Sequence, residues 1–183
     1  YASWARAIAR VHANKRDRTP IADLVAGQQR RREAPARAVN AARLLKDPRA
    51  VAIVTGQQAG LFGGPLFTLL KALTALKLAD QVSRDQNVPV VAMFWIDGED
   101  HDWDEVRSCT VFDQELTPRT VQLPPRVGKE ATPVATTRLD ESIEAALEEL
   151  ERILPPTAFR PSLIADLGRA YRPGVGMADA FGR

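Results

Sequence analysis

The glycine-rich stretch TGQQAGLFGG, residues 55–64, limits what this chain can fold into more than any other stretch. A short apolar strand over 51–54 precedes it, and Pro65 follows at a position that suits the start of a helix, where its missing N–H is not needed. An amphipathic helix and a second apolar strand, residues 88–96, come next. Strand, crossover helix and strand form one βαβ unit, which predicts a parallel sheet of the α/β class.

Two features of this unit predict how it is buried. Apolar side chains recur in the helix at spacings of three and four, so one face should pack on the sheet: Leu66, Leu69, Leu70, Leu73, Leu76 and Val82. The second strand is apolar on both sides, as in a parallel strand covered by helices. The chain starts with Tyr1, and we expect it to be part of a longer protein. In that case both strands should be incompletely buried.

Segments on either side of the unit have simpler patterns. Two helical stretches precede it, over residues 1–15 and 21–45, and Pro35 should divide the second. Several elements should follow it: a hairpin of strands 107–113 and 117–123, an exposed loop over 124–133, a helix over 140–154 with Asp140 as N-cap, and short helices over 161–171 and 176–181.

The glycine-rich stretch lies where parallel sheets bind ligands, at the carboxyl end of a strand. It contains neither GxxxxGK[ST] nor GxGxxG, which excludes an ordinary P-loop and a dinucleotide fingerprint. Its glycines permit close approach to an anion at the helix N-terminus, or they only form a tight turn. The candidate binding residues are Thr55, Gly56, Gln57, Gln58, Gly60, Gly63 and Gly64. Lys71, two turns into the helix, is either a surface lysine or points back toward this loop.

An acidic cluster, residues 97–105, follows the second strand with six carboxylates around His101. Their mutual repulsion requires a cation, a substrate amine or neighbouring donors. His101 with Asp100 and Asp102 could act as a general base or acid, its pKa raised by the carboxylates. Alternatively, the Asp and Glu oxygens with the imidazole could hold Mg²⁺ or a harder transition ion. A zinc site from His101, Glu105 and Cys109 is a weaker alternative, because residues 107–112 have a strand pattern.

Crossover geometry brings the carboxyl ends of both strands to one edge of the sheet. We therefore expect the catalytic candidates His101, Asp100 and Asp102 to share one pocket with Gln57 and Gln58. Two residues at the end of the second strand complete the candidate binding set, Trp95 and Glu99.

Composition excludes several classes of protein. The 25 basic and 23 acidic residues give a net charge of +2, which offers no reason to expect nucleic acid or a membrane as partner. The single cysteine, Cys109, excludes an intrachain disulfide and fits a reducing cytosol. No apolar run has the length of a membrane span.

Two motifs resemble one known family. Residues 55–79 (TGQQAGLFGGPLFTLLKALTALKLA) and 88–106 (VPVVAMFWIDGEDHDWDEV) are similar to the cysteine-adding enzymes of bacillithiol synthesis, BshC. Residues 171–183 are similar, more weakly, to the part of that family that precedes its next core strand. Phe67 stands where a tyrosine is common and Asp97 where a small residue is common, which puts a hydroxyl-dependent role at position 67 in doubt.

The resemblance implies a Rossmann-like α/β core with flanking helices, here incomplete. Residues 1–48 would form an N-terminal helical segment and 49–183 the first part of the core, without the family's C-terminal core and dimerising coiled coil. It also implies a cytoplasmic ligase that joins the carboxyl of L-cysteine to the amine of glucosaminyl-malate. An activating nucleotide is chemically expected, since amide formation from a free carboxylate is unfavourable in water; whether it is ATP stays open. The alternatives are a non-catalytic nucleotide- or sugar-binding module and a metal-dependent hydrolase.

Overall fold

The computed structural model describes residues 2–126 and 132–183, so the middle of the predicted loop over 124–133 lies outside the described residues. The elements in chain order are α1 (Ala2–Ala13), α2 (Thr19–Arg31), α3 (Ala36–Leu44), β1 (Val51–Gln58), α4 (Leu66–Gln86), β2 (Val90–Asp97), α5 (Trp103–Val106), β3 (Ser108–Phe112), β4 (Pro118–Gln122), α6 (Ser142–Ile153), α7 (Arg160–Ala170) and α8 (Met177–Phe181). They form two compact units: unit 1, Tyr1–Gly56 with Leu70–Trp95, and unit 2, Gln57–Leu69 with Ile96–Arg183.

Strands β1 and β2 form a parallel two-stranded sheet, with α4 as the helix between them in sequence. The backbone N–H of Val51 donates to the carbonyl of Pro89 at 3.0 Å, where the two strands begin to pair. The predicted α/β class with a parallel sheet is confirmed. The predicted division of the chain at residue 48 stays a prediction.

The first strand is longer than the sequence pattern indicates. β1 continues to Gln58, so residues 55–58 belong to the strand and not to the predicted loop. Gly56 explains how pairing continues: a Cβ there would lie 2.5 Å from the carbonyl oxygen of Trp95, so only a glycine permits this approach of the two strands. The loop itself is shorter, residues 59–65, and contains a 3₁₀ turn over Leu61–Gly63.

The prediction for the buried face of α4 holds for Val82 and is wrong for its five leucines. The leucines that define the apolar face are between 47% and 73% exposed, whereas a face of smaller residues is buried, with Ala75, Ala79 and Val82. Val82 packs in a cluster with Ile8, Val51 and several half-buried side chains of unit 1. Small side chains let a helix approach its neighbours closely, so burial here follows residue size and not the strongest hydrophobic stripe.

The strands of the sheet are incompletely buried, as predicted. Val51 and Val91 are buried in separate apolar clusters of unit 1. In contrast, Val54 is 59% exposed and Trp95 is 63% exposed. Val91 and Trp95 lie on the same side of β2, so the prediction that this strand is covered on both sides is wrong at its carboxyl end, where Trp95 is exposed.

The N-terminal helices form where their sequences predict. α2 begins at Thr19 with Pro20 in its first turn, and α3 begins directly after Pro35. Glu33 takes a left-handed conformation (φ 57°) between the two helices, so the break that Pro35 predicts is present. Among the described residues, no helix combines the length and the apolar character that crossing a membrane requires.

Unit 2 has its own core, built on the β3–β4 hairpin. The two strands pair antiparallel with Cys109 opposite Val121, and both of these side chains are buried. Ile143 and Leu150 of α6 complete the same cluster together with Met177 of α8. The hairpin and the three later helices are confirmed. Asp140 lies one residue before the cap position, and its Oδ1 accepts a hydrogen bond from the backbone N–H of Ser142 at 3.0 Å.

Candidate functional site

In unit 2 the end of β1 contacts the acidic cluster through one amide side chain. Gln58 Nε2 donates to Glu105 Oε2 at 3.1 Å, and the side chain of Gln58 also hydrogen-bonds Asp100. The amide of Gln57 donates to Gln58 Oε1. Gln57, Gln58 and Asp100 are half-buried, so the contact lies at the surface of the unit. Gln58 and Glu105, 47 residues apart in sequence, therefore meet. That His101 and Asp102 share one pocket with Gln57 and Gln58 stays a prediction.

Backbone donors hold the acidic cluster in place. Asp100 Oδ1 accepts from the N–H of Asp102 at 3.0 Å, and Asp102 Oδ1 accepts from the N–H of Glu105, also at 3.0 Å, and caps α5. The N–H of Asp102 is the largest cause that holds the pKa of Asp100 below its ordinary value, with Gln58 and the charge of His101 as smaller causes. Asp104 forms an ion pair with Arg107 at 2.7 Å. Neighbouring donors thus offset the carboxylate repulsion.

The three catalytic candidates differ in exposure. His101 and Asp102 are exposed, whereas Asp100 is half-buried. The backbone near His101 is fixed on both sides: the carbonyl of Asp100 accepts from the N–H of Val134 at 2.8 Å, and the carbonyl of His101 accepts from the N–H of Trp103 at 2.9 Å. An exposed imidazole on a fixed backbone can exchange a proton with a bound substrate.

The glycine-rich loop is closed by contacts between its own glycines. A Cβ on Gly60 would lie 2.7 Å from the Cα of Gly64, so the two ends of the loop touch through hydrogen atoms alone. Phe62, Gly63 and Gly64 all have positive φ, at 51°, 92° and 71°. The glycines therefore serve a tight turn, which was one of the two interpretations of the sequence.

Thr68, in the first turn of α4, was not among the candidates. It is 7% exposed, and its hydroxyl is buried without a hydrogen-bond partner in the described part of the chain. A methyl group placed on Gly64 would lie 3.5 Å from Thr68 Oγ1, so this hydroxyl borders the loop. An unpaired buried hydroxyl is unfavourable, which makes Thr68 a further candidate for contact with a ligand. Sequence spacing offers no signal for it.

The remaining binding candidates are found in two places. In unit 1, Lys71 is half-buried and its Nζ donates to the carbonyl of Gly56 at 3.1 Å, so the lysine points back along the helix. Thr55 is half-buried there and Trp95 is exposed. In unit 2, Glu99 is exposed and next to Asp100 in sequence. A separate depression of unit 2 is lined by other residues, among them Trp103, Pro124, Arg126, Arg138 and Asp140.

Metal ligation remains a prediction. Among residues 2–126 and 132–183, no group of three or more His, Cys, Asp or Glu side chains has an arrangement that could hold a metal ion. Cys109, a member of the weaker zinc alternative, is buried in the core of unit 2, and burial raises the pKa of its thiol. A protonated core thiol is a poor metal ligand.

Comparison with known proteins agrees with the two motifs. Residues 1–183 match the family described as Bacillithiol biosynthesis BshC, N-terminal Rossmann-like domain. The chain belongs to this family. A relative from Salinibacter ruber, named "Putative cysteine ligase BshC", is 36% identical over 182 residues, which are 98% of this chain and 33% of that protein.

Two further BshC relatives carry the same name. The protein from Chlorobaculum tepidum is 37% identical over 91% of this chain and 30% of its own length, and that from Bacillus licheniformis is 31% identical over 98% and 33%. The chain thus spans about a third of the length of these curated relatives, and it corresponds to the Rossmann-like domain of the BshC family.

Proposed function

We propose that the full-length protein is a cysteine ligase that joins the carboxyl of L-cysteine to the amine of glucosaminyl-malate, forming an amide in bacillithiol biosynthesis. Two findings support this proposal: membership of the BshC family and the names of its relatives. The observation that carries the site is the contact of Gln58 with Glu105 and Asp100, which joins the end of β1 to the acidic cluster.

In this proposal the substrates meet at the carboxyl end of β1. Gln57 and Gln58 offer neutral amide donors and acceptors that suit the carboxyl group of the acyl donor. His101, one residue after Asp100, accepts a proton from the attacking amine, so that the nitrogen can form the new bond to the acyl carbon. In this proposal Asp100 and Asp102, on either side of His101 in sequence, orient the imidazole or hold a cation.

ATP and Mg²⁺ remain expectations of the chemistry. One carboxylate oxygen must become part of a better leaving group before an amine can displace it. With ATP, that oxygen would form a bond to a phosphorus atom with release of diphosphate or ADP, and the amine would then displace AMP or phosphate from the acyl carbon. The half-buried Gln57 and Gln58 fit a nucleotide edge or a carboxylate equally well, so both substrates and ATP belong in the assay.

The test of this function uses the full-length protein with L-cysteine and glucosaminyl-malate, with and without ATP. We expect cysteine-dependent amide formation, followed by mass spectrometry of the product. Absence of product under all conditions, together with binding of either substrate, would favour a non-catalytic binding module. Hydrolysis that stops on addition of a chelator would favour the metal-dependent hydrolase.

His101→Asn tests the assigned base. Asparagine keeps the approximate size and some hydrogen bonding but cannot titrate, so turnover should fall by about 10²-fold or more if proton transfer is the role of His101. The matched control is His12→Asn, because His12 is the other histidine of the chain and lies in α1 of unit 1. Turnover near that of the wild type in the His101 variant, measured by the same product assay, would contradict the assignment.

A further inference from the structure

The buried hydroxyl group of Tyr171 makes hydrogen bonds to the backbone of the glycine-rich loop. Tyr171 is 4% exposed and directly follows α7. Its Oη accepts from the backbone N–H of Gly63 at 3.0 Å and donates to the carbonyl of Gly60 at 3.1 Å. The two bonds span the 3₁₀ turn, one at each end. The side chain of Tyr171 thus binds two loop residues that precede it in the sequence, Gly63 by 108 positions and Gly60 by 111.

The ring of Tyr171 supports the strained part of the same turn. It meets Phe62 edge to face, with ring centroids 5.2 Å apart and an interplanar angle of 68°. Phe62 has a positive φ of 51°, a conformation that a residue other than glycine adopts only when its surroundings compensate. The N–H groups of Gly63 and Phe62 both act to lower the pKa of the Tyr171 hydroxyl, against the larger effect of burial. The tyrosine therefore satisfies the amide groups that a left-handed turn leaves pointing inward.

The Tyr171 hydroxyl remains protonated over the whole physiological pH range. Burial raises its pKa far above the ordinary value for tyrosine, with the N–H groups of the loop acting in the opposite direction. A neutral hydroxyl can donate to Gly60 and accept from Gly63 at the same time, which a phenolate cannot do. The pair of bonds is therefore independent of pH.

Gly60, whose carbonyl Tyr171 holds, is also bonded to a residue of the candidate site. The N–H of Gly60 donates to the carbonyl of Gln58 at 3.0 Å, and the side chain of Gln58 reaches Glu105 and Asp100. Each of these groups belongs to unit 2. These hydrogen bonds, joined through the covalent bonds of Gly60 and Gln58, therefore link Tyr171 to Glu105 and Asp100 of the acidic cluster.

We propose that Tyr171 is a positioning residue of the ligase, which holds the Gly60 peptide so that Gln58 faces the acidic cluster. The inference rests on the proposed function, in which Gln58 orients the acyl donor. Removal of the hydroxyl should then weaken use of L-cysteine, while use of glucosaminyl-malate changes little. A residue that only stabilises the fold would affect both substrates alike.

Tyr171→Phe in the full-length protein tests this role, because phenylalanine keeps the ring against Phe62 and removes both hydrogen bonds. We expect the KM for L-cysteine to rise about tenfold and the KM for glucosaminyl-malate to change less than twofold. Ile143→Val is the matched control, since Ile143 is fully buried in the same core and has no part in the loop. It should leave both KM values unchanged at temperatures where the protein is folded.

Hydrogen–deuterium exchange of the same variants separates the two hypotheses. In Tyr171→Phe the amides of residues 59–64 should exchange at least tenfold faster, with the β3–β4 hairpin unchanged, whether or not the protein is a ligase. If the wild type forms no product, the proposed function fails and faster exchange still supports the positioning of the loop. Unchanged exchange, or equal rises of both KM values in an active enzyme, would overturn the role of Tyr171.

Discussion

A single carboxylate, that of Asp113, organises the turn of the β3–β4 hairpin. Asp113 is 8% exposed, and its Oδ1 accepts from the N–H groups of Glu115 at 3.0 Å and Thr117 at 2.9 Å. Its Oδ2 accepts from Arg119 Nε at 3.0 Å. The N–H of Thr117 is the largest cause that lowers the pKa of Asp113 below its ordinary value of 3.8. Backbone N–H groups thus hold the Asp113 carboxylate, as they hold Asp100 and Asp102 in the acidic cluster.

Stability of unit 2 should depend on the ionisation of Asp113. Because its pKa is lower in the folded than in the unfolded chain, its contribution is present above pH 3.8 and is lost as the pH falls through the lowered value. Asp113→Asn should therefore reduce stability at neutral pH and flatten the acid side of the stability curve. Urea unfolding at a series of pH values measures both effects. Glu115→Gln, an exposed carboxyl in the same turn, is the control, and parallel curves for wild type and Asp113→Asn would contradict the assignment.

At the scale of the element, helix α4 has two apolar faces, one buried and one exposed. Its buried side carries Ala75, Ala79 and Val82, whereas the leucines of its exposed side form a continuous stripe at helical spacing. Exposed apolar patches of this kind promote association between chains. The overall charge of +2 gives little repulsion to oppose it.

Polar substitution of the exposed stripe should improve the behaviour of the 183-residue chain. Leu73 and Leu76 are 47% and 55% exposed, so Leu73→Gln with Leu76→Gln should reduce self-association and change the free energy of unfolding by less than about 0.5 kcal/mol. The control is Val82→Ala on the buried side, which should cost about 2 kcal/mol through lost burial. Sedimentation velocity and urea unfolding measure the two effects. A large loss of stability in the double variant would show that the leucines are covered.

At the scale of the whole molecule, each unit has apolar clusters of its own, and β1, α4 and β2 contribute residues to both units. The matched relatives are about three times as long as this chain. The exposed residues Val54 and Trp95 and the leucine stripe of α4 are surfaces that the remainder of such a protein can cover.

The same double substitution should have a different effect in the full-length protein. If the rest of the chain covers α4, Leu73→Gln with Leu76→Gln should destabilise it by several kcal/mol, because polar amides are then buried without partners. Thermal and urea unfolding of the 183-residue chain and the full-length protein provide the comparison. Equal effects in both proteins would mean that the stripe stays exposed.

Much of the candidate site was predictable because its signals are local. The two motifs identify the family, and the order strand, loop, helix, strand predicts that the end of β1 approaches the acidic cluster. The contact of Gln58 with Glu105 and Asp100 follows this geometry, while the catalytic roles remain predictions. Tyr171 and Thr68 were missed as parts of the site because their importance arises from neighbours distant in sequence or from an unpaired buried atom.

The sequence by itself determined the α/β class, the break at Pro35, the antiparallel hairpin and the helices that follow it, because turn residues and hydrophobic periodicity act over a few residues. Only the tertiary structure decided that β1 continues to Gln58, that α4 buries its small residues, and that Tyr171 holds the loop. The hydrophobic effect has no direction, so which apolar face is buried depends on the surfaces that the folded chain presents to it.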